Sequence, residues 1–374
     1  MQIFLAVGEV MPGSGWKSTV PLLFAFRSSR GRRGVRILIS GGAGYIGSQT
    51  AKSLSRAGFE PVVYDNLSTG NRWAVKWGPF VEADLCDHRS LKEALKHYKV
   101  TAAIHFAAHA YVGESMREPR RYFENNVLNT LHFVHALLDA GVNHVVFSSS
   151  CAVYGVPQCF PIAESHSKLP VNPYGDSKLF IERVLDWYGR AYGLRWAALR
   201  YFNAAGADPS GELGEMHNPE THLVPRLIES ALGRLESVEI FGDDYPTEDG
   251  TAVRDYVHVL DLAEAHVAAL QHLLSGGECF SANLGTGHGI SVREVITAVE
   301  RVSGATIDAK TAPRRDGDPP VLIADPTSAE RILGWRPKFS SLDNIVNSAW
   351  NWHRRFPSLR QIGSRRKEDG AISM

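Results

Sequence analysis

Apolar and polar positions switch repeatedly between two periods along the chain, and these switches predict alternating strands and helices. The run Val35–Ser40 is short and mostly apolar, which is typical of a strand buried inside a parallel sheet. Ile46, Leu54 and Ala57 then recur at helical spacing. Five further apolar runs predict strands at Pro61–Tyr64, Phe80–Ala83, Thr101–His105, His144–Ser148 and Leu194–Leu199. Helical spacing between them predicts helices at Arg89–Tyr98, Pro119–Ala140 and Pro173–Tyr192. The order predicts an α/β fold with helices on both faces of a doubly wound parallel sheet.

The pattern changes after Arg200. Residues Tyr201–Glu220 are rich in Gly, Pro, Ala and Asn and show no period. Helical spacing and one apolar run return at Leu223–Leu235, Val238–Phe241, Leu260–Leu274 and Val292–Val302. We expect residues 35–200 to form the nucleotide-binding domain and 201–356 mainly a smaller α/β substrate-binding lobe at the carboxyl edge of the sheet, where ligands of such folds bind.

The two ends of the chain differ from the rest. Residues 1–34 contain a single acid, Glu9, and an apolar run, Val20–Phe26, that precedes a group of arginines. A secretory signal has the opposite order, with its positive charge first. We interpret 1–34 as a disordered or mis-called extension, with a transit peptide as the alternative, and 357–374 as a polar tail.

Composition excludes several classes of protein. Of the 374 residues, 44% are hydrophobic, and 40 Lys and Arg balance 40 Asp and Glu. Without a net positive charge the chain lacks the signature of a nucleic-acid-binding or membrane-surface protein, and no apolar run is long enough to span a bilayer. The cysteines show no metal-ligand spacing and fit free thiols in the cytoplasm: Cys86, Cys151, Cys159 and Cys279. We assign no metal ligand from the sequence.

A glycine-rich turn connects the first strand to the first helix. Gly41, Gly44 and Gly47 allow a tight turn and close approach of a pyrophosphate to the free N–H groups of the helix. Asp65 ends the second strand, where a carboxylate accepts hydrogen bonds from ribose hydroxyls and repels a 2′-phosphate. The combination predicts a Rossmann fold that binds NAD in preference to NADP. The alternative is a structural turn with a solvated Asp.

Tyr174 and Lys178 are the strongest candidates for chemistry. Residues four apart share one face of a helix, so the phenol and the ammonium project together. A nearby positive charge favours the phenolate and lowers the pKa of Tyr174, which could then accept a proton from a sugar hydroxyl. The alternative is an ordinary surface pair.

A serine-rich segment, Ser148–Ser150, ends the fifth strand. We predict that the Ser150 hydroxyl hydrogen-bonds the reacting oxygen and relays its proton. The alternative is a turn whose serines only satisfy backbone groups, and we expect that role for Ser148.

Together these features resemble the extended short-chain dehydrogenase/reductases. Within them, further segments are similar to the UDP-glucose 4-epimerase family, and the resemblance covers about Val35–Phe356. The segments are Asp65–Ser68, Val112–Ser115, Asn125–Val127, Arg200–Asn203, Tyr245–Tyr256 and Arg314–Asp318.

The resemblance implies a cofactor site and a substrate site. The pyrophosphate, ribose, adenine and nicotinamide of NAD would contact Gly41, Gly44, Tyr45, Ile46, Gly47, Asp65, Asn66, Asp84, Leu85, Phe106, Ala107, Ala108, Asn125, Tyr174, Lys178 and Phe202. The UDP-sugar would contact Ser150, Tyr174, Asn203, His222, Leu223, Phe241, Arg254, Arg315 and Asp318. Two arginines suit a diphosphate; alternatively, Arg254 forms an ion pair with Asp255 or Asp261.

The implied reaction interconverts UDP-galactose and UDP-glucose. Tyr174 would remove the 4-OH proton while C4 gives a hydride to tightly bound NAD. The 4-keto sugar would turn about its bond to the diphosphate and receive the hydride on its other face. The resemblance also implies a homodimer, packed through Pro119–Ala140 and Pro173–Tyr192.

Two positions depart from the family pattern. Ala110 replaces a lysine that some members place near the cofactor. Leu322 lies at a position where bulk excludes N-acetylated sugars, and its intermediate size leaves their acceptance open.

Other functions remain as alternatives. A sugar-nucleotide 4,6-dehydratase or decarboxylase would need a carboxylate in the serine segment, where this chain has Cys151 and Ala152. A 4-epimerase for UDP-xylose or UDP-uronic acids depends on pocket size. A non-catalytic NAD-binding regulator would be expected to lack Tyr174 or Lys178.

Overall fold

The structure is a computed structural model that describes residues 34–315 and 318–355. The predicted N-terminal extension, apart from Gly34, and the polar tail lie outside the described residues, as do Phe356 and the pair 316–317 of the Arg314–Asp318 motif. Among the described helices, none is both long enough and apolar enough to cross a membrane.

Strands and helices alternate through the first part of the chain, as predicted. The described strands are β1 Arg36–Ser40, β2 Glu60–Asp65, β3 Phe80–Glu82, β4 Ala102–His105, β5 His144–Ser150, β6 Arg195–Tyr201, β7 Asn203–Ala205, β8 Val238–Phe241, β9 Val253–Arg254, β10 Tyr256–His258, β11 Phe280–Leu284, β12 Ile290–Ser291, β13 Ala309–Ala312 and β14 Val321–Leu322. The described α-helices are α1 Tyr45–Arg56, α2 His88–His97, α3 Val112–Arg117, α4 Pro119–Tyr122, α5 Asn129–Asp139, α6 Pro173–Tyr192, α7 Leu223–Ala231, α8 Val259–Leu274, α9 Val292–Ser303, α10 Thr327–Leu333 and α11 Leu342–His353.

Seven of the described strands form one parallel sheet in the order β11-β6-β5-β4-β1-β2-β3. β2 and β3 lie on one side of β1, whereas β4 and the later strands lie on its other side. The loops after β1 and β4 therefore run to opposite faces of the sheet and leave a crevice at its carboxyl edge. The turn that starts at Gly41 follows β1, and Phe106 follows β4. The predicted doubly wound fold is confirmed.

Alternate residues of β1 pack on opposite faces of this sheet because side chains of a strand point alternately to either side. Ile37 and Ile39 belong to a core cluster that includes Leu54 of α1 and Ala265 of α8. On the other face, Leu38 belongs to a cluster that includes Leu91 of α2, Phe133 of α5 and Ile181 of α6. Burial on both faces explains why the strand is an almost continuous apolar run.

A smaller lobe of helices and short strands follows the sixth strand. Its core combines Leu227 of α7, Val299 of α9 and Ile345 of α11, and β8 pairs in parallel with β13. The predicted smaller α/β lobe is therefore present. The main sheet nevertheless includes β11, which lies beyond residue 200 and pairs with β6. The chain therefore passes between the two lobes more than once, and the proposed boundary at 200 marks only its first passage.

The predicted helix Pro119–Ala140 is helical from Pro119 to Asp139, but it contains a π-helical segment at Phe123–Leu128. The wider π turn shifts the phase of the side chains. As a result, Phe123 and Leu128 are exposed, and apolar spacing alone does not set which positions of this stretch are buried. The buried positions of this stretch are instead Tyr122, Asn126, Thr130, Phe133, Val134, Ala136 and Leu137.

Candidate active site

The glycine turn after β1 holds the start of α1 against the loop after β4. Gly41 has a φ of +73°, and a Cβ there would lie 2.6 Å from the backbone nitrogen of Ala107. Glycine is therefore required both by the backbone angle and by the close approach. Among the described residues, no side chain caps the first turn of α1, which also contains no acid. Its N–H groups are thus available to an anion such as a pyrophosphate.

Asp65 lies at the end of β2 beside this turn. One carboxylate oxygen accepts a hydrogen bond from the Ala43 backbone (2.9 Å) and the other from Leu67 (2.8 Å). Burial raises the pKa of Asp65, although these two hydrogen bonds act in the opposite direction. The backbone contacts fix the orientation of the carboxylate, as a ribose-binding acid requires.

A second polar group lies beyond Asp65, at the predicted adenine end. Asn66 donates a hydrogen bond of 2.6 Å to Asp84. The backbone N–H of Cys86 donates to the other carboxylate oxygen of Asp84 over 2.9 Å. Asp84 is therefore held in one orientation before any ligand arrives.

Tyr174 and Lys178 extend from the first turns of α6 into the same cleft. Asn172 accepts a hydrogen bond from the Gly175 backbone (2.8 Å) and caps the helix, and Pro173 occupies its first position. A Cβ at Gly175 would lie 2.5 Å from the Ala152 carbonyl oxygen. The absence of a side chain at Gly175 thus lets α6 approach the turn that follows Ser150.

Lys178 is buried and donates a hydrogen bond of 2.8 Å to the Ser148 carbonyl. Its nitrogen lies 5.8 Å from the centre of the Tyr174 ring. Burial lowers the pKa of Lys178 to about 7, against the favourable charge of Glu182. The ammonium is therefore only partly populated near neutral pH.

Burial also raises the pKa of Tyr174 to about 12, although a hydrogen bond with Ser150 acts to lower it. The pKa of Tyr174 therefore lies above its ordinary value, and the lowering effect expected from Lys178 stays a prediction. Desolvation penalises the phenolate and the ammonium together, and it outweighs their attraction here.

A buried ion pair between Arg200 and Glu182 links β6 to α6. Arg200 donates to Glu182 through two nitrogens, over 2.8 and 2.5 Å. Ser149 donates to the same carboxylate over 2.5 Å. The pair thereby ties the end of β5, which carries Ser150, to the helix that carries Tyr174. Glu182 was not among the predicted site residues, because only the fold places it beside Arg200.

The substrate half of the cleft contains the predicted arginines. Arg254 donates to Asp318 over 2.5 Å, and the Arg315 guanidinium lies 3.8 Å from the centre of the Phe241 ring. The alternative that Arg254 pairs with Asp255 or Asp261 is wrong. Asp255 accepts hydrogen bonds from Thr286 instead, and Asp261 accepts them from the segment that contains Ser340.

All of the predicted site residues line one continuous cleft of about 1140 Å³. It runs from the glycine turn past Tyr174 to Arg315, and Leu322 also lines it. Their individual contacts with cofactor and sugar remain predictions. The His222 ring, expected at the substrate, is turned toward Glu215 and hydrogen-bonds its carboxylate.

The model of the NAD dependent epimerase/dehydratase family matches residues 37–285. This chain belongs to that family. The predicted enzyme class, an NAD-dependent epimerase, is confirmed, and NAD is confirmed as the cofactor of the family.

Three relatives illustrate the similarity. A UDP-glucose 4-epimerase of Rhizobium meliloti is 50% identical over 85% of this chain and 97% of its own length. The crystal structure of a UDP-glucose 4-epimerase from Brucella ovis with NAD is 51% identical, with a TM-score of 0.83 over 85% of this chain and 98% of that one. The Bifidobacterium longum epimerase, solved with NAD+ and UDP, is 37% identical, with a TM-score of 0.83 over 86% and 99% of the two chains.

Proposed function

We propose that this protein interconverts UDP-galactose and UDP-glucose by inverting the configuration at C4 of the sugar. The observation that carries the proposal is the position of Tyr174 and Lys178 midway along a cleft with an anion-binding helix start at one end and two arginines at the other. The relatives described above are UDP-glucose 4-epimerases.

The residues of the cleft fit NAD. The helix start at Gly44 and Tyr45 would hold the pyrophosphate, and the oriented carboxylate of Asp65 would hold the adenosine ribose. Bound NAD supplies the hydride acceptor and donor at C4 and, when oxidised, a positive charge that favours the phenolate of Tyr174.

Tyr174 is the proposed base. It removes the proton of the sugar 4-OH and returns it after the sugar has turned, so one side chain serves both half-reactions. Ser150 hydrogen-bonds the reacting oxygen, and Lys178 positions the nicotinamide ribose and supplies positive charge beside Tyr174. The desolvated cleft makes these interactions stronger than they would be in water.

Arg254 and Arg315 are the residues proposed to bind the diphosphate. They hold the UDP part while the 4-keto sugar rotates, so that the intermediate presents its other face without leaving. Asp318 keeps the Arg254 guanidinium in place before the substrate binds.

One assay tests this function. Purified protein is incubated with UDP-galactose without added NAD, and UDP-glucose is measured; protein denatured in the same buffer is assayed for released NAD. We expect conversion toward an equilibrium mixture and close to one nucleotide per chain. Protein that contains NAD but leaves UDP-galactose unchanged would contradict the proposed substrate.

We further propose a homodimer formed through α6 and the helical stretch 119–139. Large apolar side chains of these helices are exposed, including Phe180 (47%), Trp187 (65%) and Leu128 (48%). Exposed apolar area of this kind is typical of an interface. Sedimentation of the wild type and of Trp187→Glu tests it, because the charge should shift the protein toward the monomer.

A further inference from the structure

A cluster of two histidines and two glutamates lies in the loop before α7, at the edge of the cleft. Glu215, His217, Glu220 and His222 each offer one possible ligand atom, and these atoms lie within 4.8 Å of one another. The cysteine spacing gives no indication of this cluster, because no cysteine belongs to it. The spacing Glu-x-His-x-x-Glu-x-His could have done so.

The distances within the cluster suit one ion. His217 Nδ1 lies 3.2 Å from Glu215 Oε1 and 3.7 Å from Glu220 Oε2, and His222 Nδ1 lies 3.9 Å from Glu220 Oε1. Zinc binds imidazole nitrogen and carboxylate oxygen at about 2.0–2.2 Å, so ligand atoms around a tetrahedral ion stand roughly 3.3 Å apart. Only small movements of the side chains would be needed.

One nitrogen of the cluster also lacks a hydrogen-bond partner among the described residues. His217 Nδ1 is buried and makes no hydrogen bond of good geometry with the described residues, although a carboxylate lies close to it. The Glu215 side chain is almost fully buried. Two carboxylates and two neutral imidazoles would be balanced in charge by one divalent cation, and this ligand set suits a borderline transition metal.

The loop that contains the cluster is anchored at its other end. Lys52 of α1 is buried and forms ion pairs with Asp208 and with Glu212, the latter over 2.6 Å. The centroids of the Tyr45 and His217 rings lie 6.3 Å apart, and the two ring planes are nearly perpendicular. The start of the loop and the His217 ring are thus held by neighbouring residues.

We infer that Glu215, His217, Glu220 and His222 form a binding site for a divalent transition metal, with Zn²⁺ as the natural probe. Four protein ligands fill a tetrahedral shell, which is typical of a structural site. An ion there would link Glu215 to His222, the residue before α7, and so fix the loop at the edge of the cleft.

The test uses the full chain without an affinity tag, stripped of metal by a chelator and titrated with Zn²⁺ against a chromophoric competitor. We expect one ion per chain and a higher melting temperature with zinc. His217→Gln and Glu220→Gln should each weaken binding at least tenfold. Co²⁺ in place of zinc should give the visible absorption bands of a tetrahedral site.

A control separates this site from histidines on the surface. The ring centroids of His88 and His132, elsewhere on the protein, lie 4.2 Å apart. His132→Gln should therefore leave the zinc titration of the proposed site unchanged. Failure of the wild type to bind one ion per chain would overturn the inference. So would equal binding by wild type and His217→Gln, or loss of binding in His132→Gln. Melting curves without metal identify any variant that fails to fold, and the partly exposed Glu220 provides the second variant.

Discussion

Glu182 accepts two hydrogen bonds from Arg200 in the interior of the protein, one helical turn after Lys178. The side chains of both residues are at most 6% exposed. A bidentate pair of this kind has good hydrogen-bond geometry. Removing either partner would leave an uncompensated charge in the protein interior, which strongly destabilises the fold. The pair also contributes to the site, since the charge of Glu182 favours the ammonium of Lys178.

We therefore expect Glu182→Gln to destabilise the protein by about 3–5 kcal/mol, because Arg200 keeps a buried charge without its partner. Denaturant unfolding measures this change. Glu124→Gln removes the partner of Arg120 in an exposed pair on the helix surface, and it should cost far less, because water screens the pair. Similar costs for the two variants would mean that the buried pair does not stabilise the fold.

Tyr174→Phe should lower kcat by roughly 10²–10⁴-fold, because the variant lacks the group that removes the 4-OH proton. Epimerisation of UDP-galactose measures this, and the bound NAD should be retained. Tyr192→Phe, at the exposed end of the same helix, is the control and should keep the wild-type rate. A Tyr174→Phe enzyme within tenfold of the wild type would refute the role of the phenol.

Lys178 should make the stability of nucleotide-free protein depend on pH. Its pKa is about 7 in the folded protein and near the ordinary value of 10.5 in the unfolded chain. Between these values the unfolded chain binds the additional proton, so the free energy of unfolding rises with pH across that window.

The Lys178→Met variant tests this linkage, since it should show a smaller rise of the unfolding free energy between pH 7 and pH 10. Lys96→Met, on the exposed side of α2, should keep the wild-type slope. Denaturant unfolding at several pH values provides the measurement. Equal slopes for Lys178→Met and wild type would show that the buried lysine does not titrate in this range.

Leu322 should control the acceptance of N-acetylated sugars. It lines the cleft and packs against the cluster that contains Cys151 and Leu179. Leu322→Ala should raise the ratio of kcat/KM for UDP-N-acetylglucosamine to that for UDP-glucose by roughly tenfold, because it removes bulk where the N-acetyl group is expected. Val321→Ala is the matched control, and an equal ratio in the two variants would exclude a gating role for Leu322.

Local chemistry explains why parts of the fold could be predicted from the sequence. The bounds of α6 follow from Asn172 and Pro173 at its start and from Gly193, with a φ of +72°, at its end. The first strand and its glycine turn are likewise marked by neighbouring residues. The predicted site residues meet in one cleft because parallel strands end at the same edge of the sheet.

Other features depend on contacts that no local pattern reveals. The phase of the helix around Asn126 follows from its hydrogen bonds to the His109 backbone, of 2.8 and 3.0 Å. β11 has only five residues, two of them polar, and its place is decided by pairing with β6. Arg254 pairs with Asp318 because the β9–β14 pairing brings these segments together.

The sequence by itself determined the order of the elements, the glycine turn and the spacing of Tyr174 and Lys178, because each depends on residues close together in the chain. Only the tertiary structure decided the ionisation of these two groups, since burial changes both pKa values more than their mutual attraction does. It also decided that Arg254 pairs with Asp318 and not with a sequence neighbour. Desolvation and long-range pairing are properties of the folded chain.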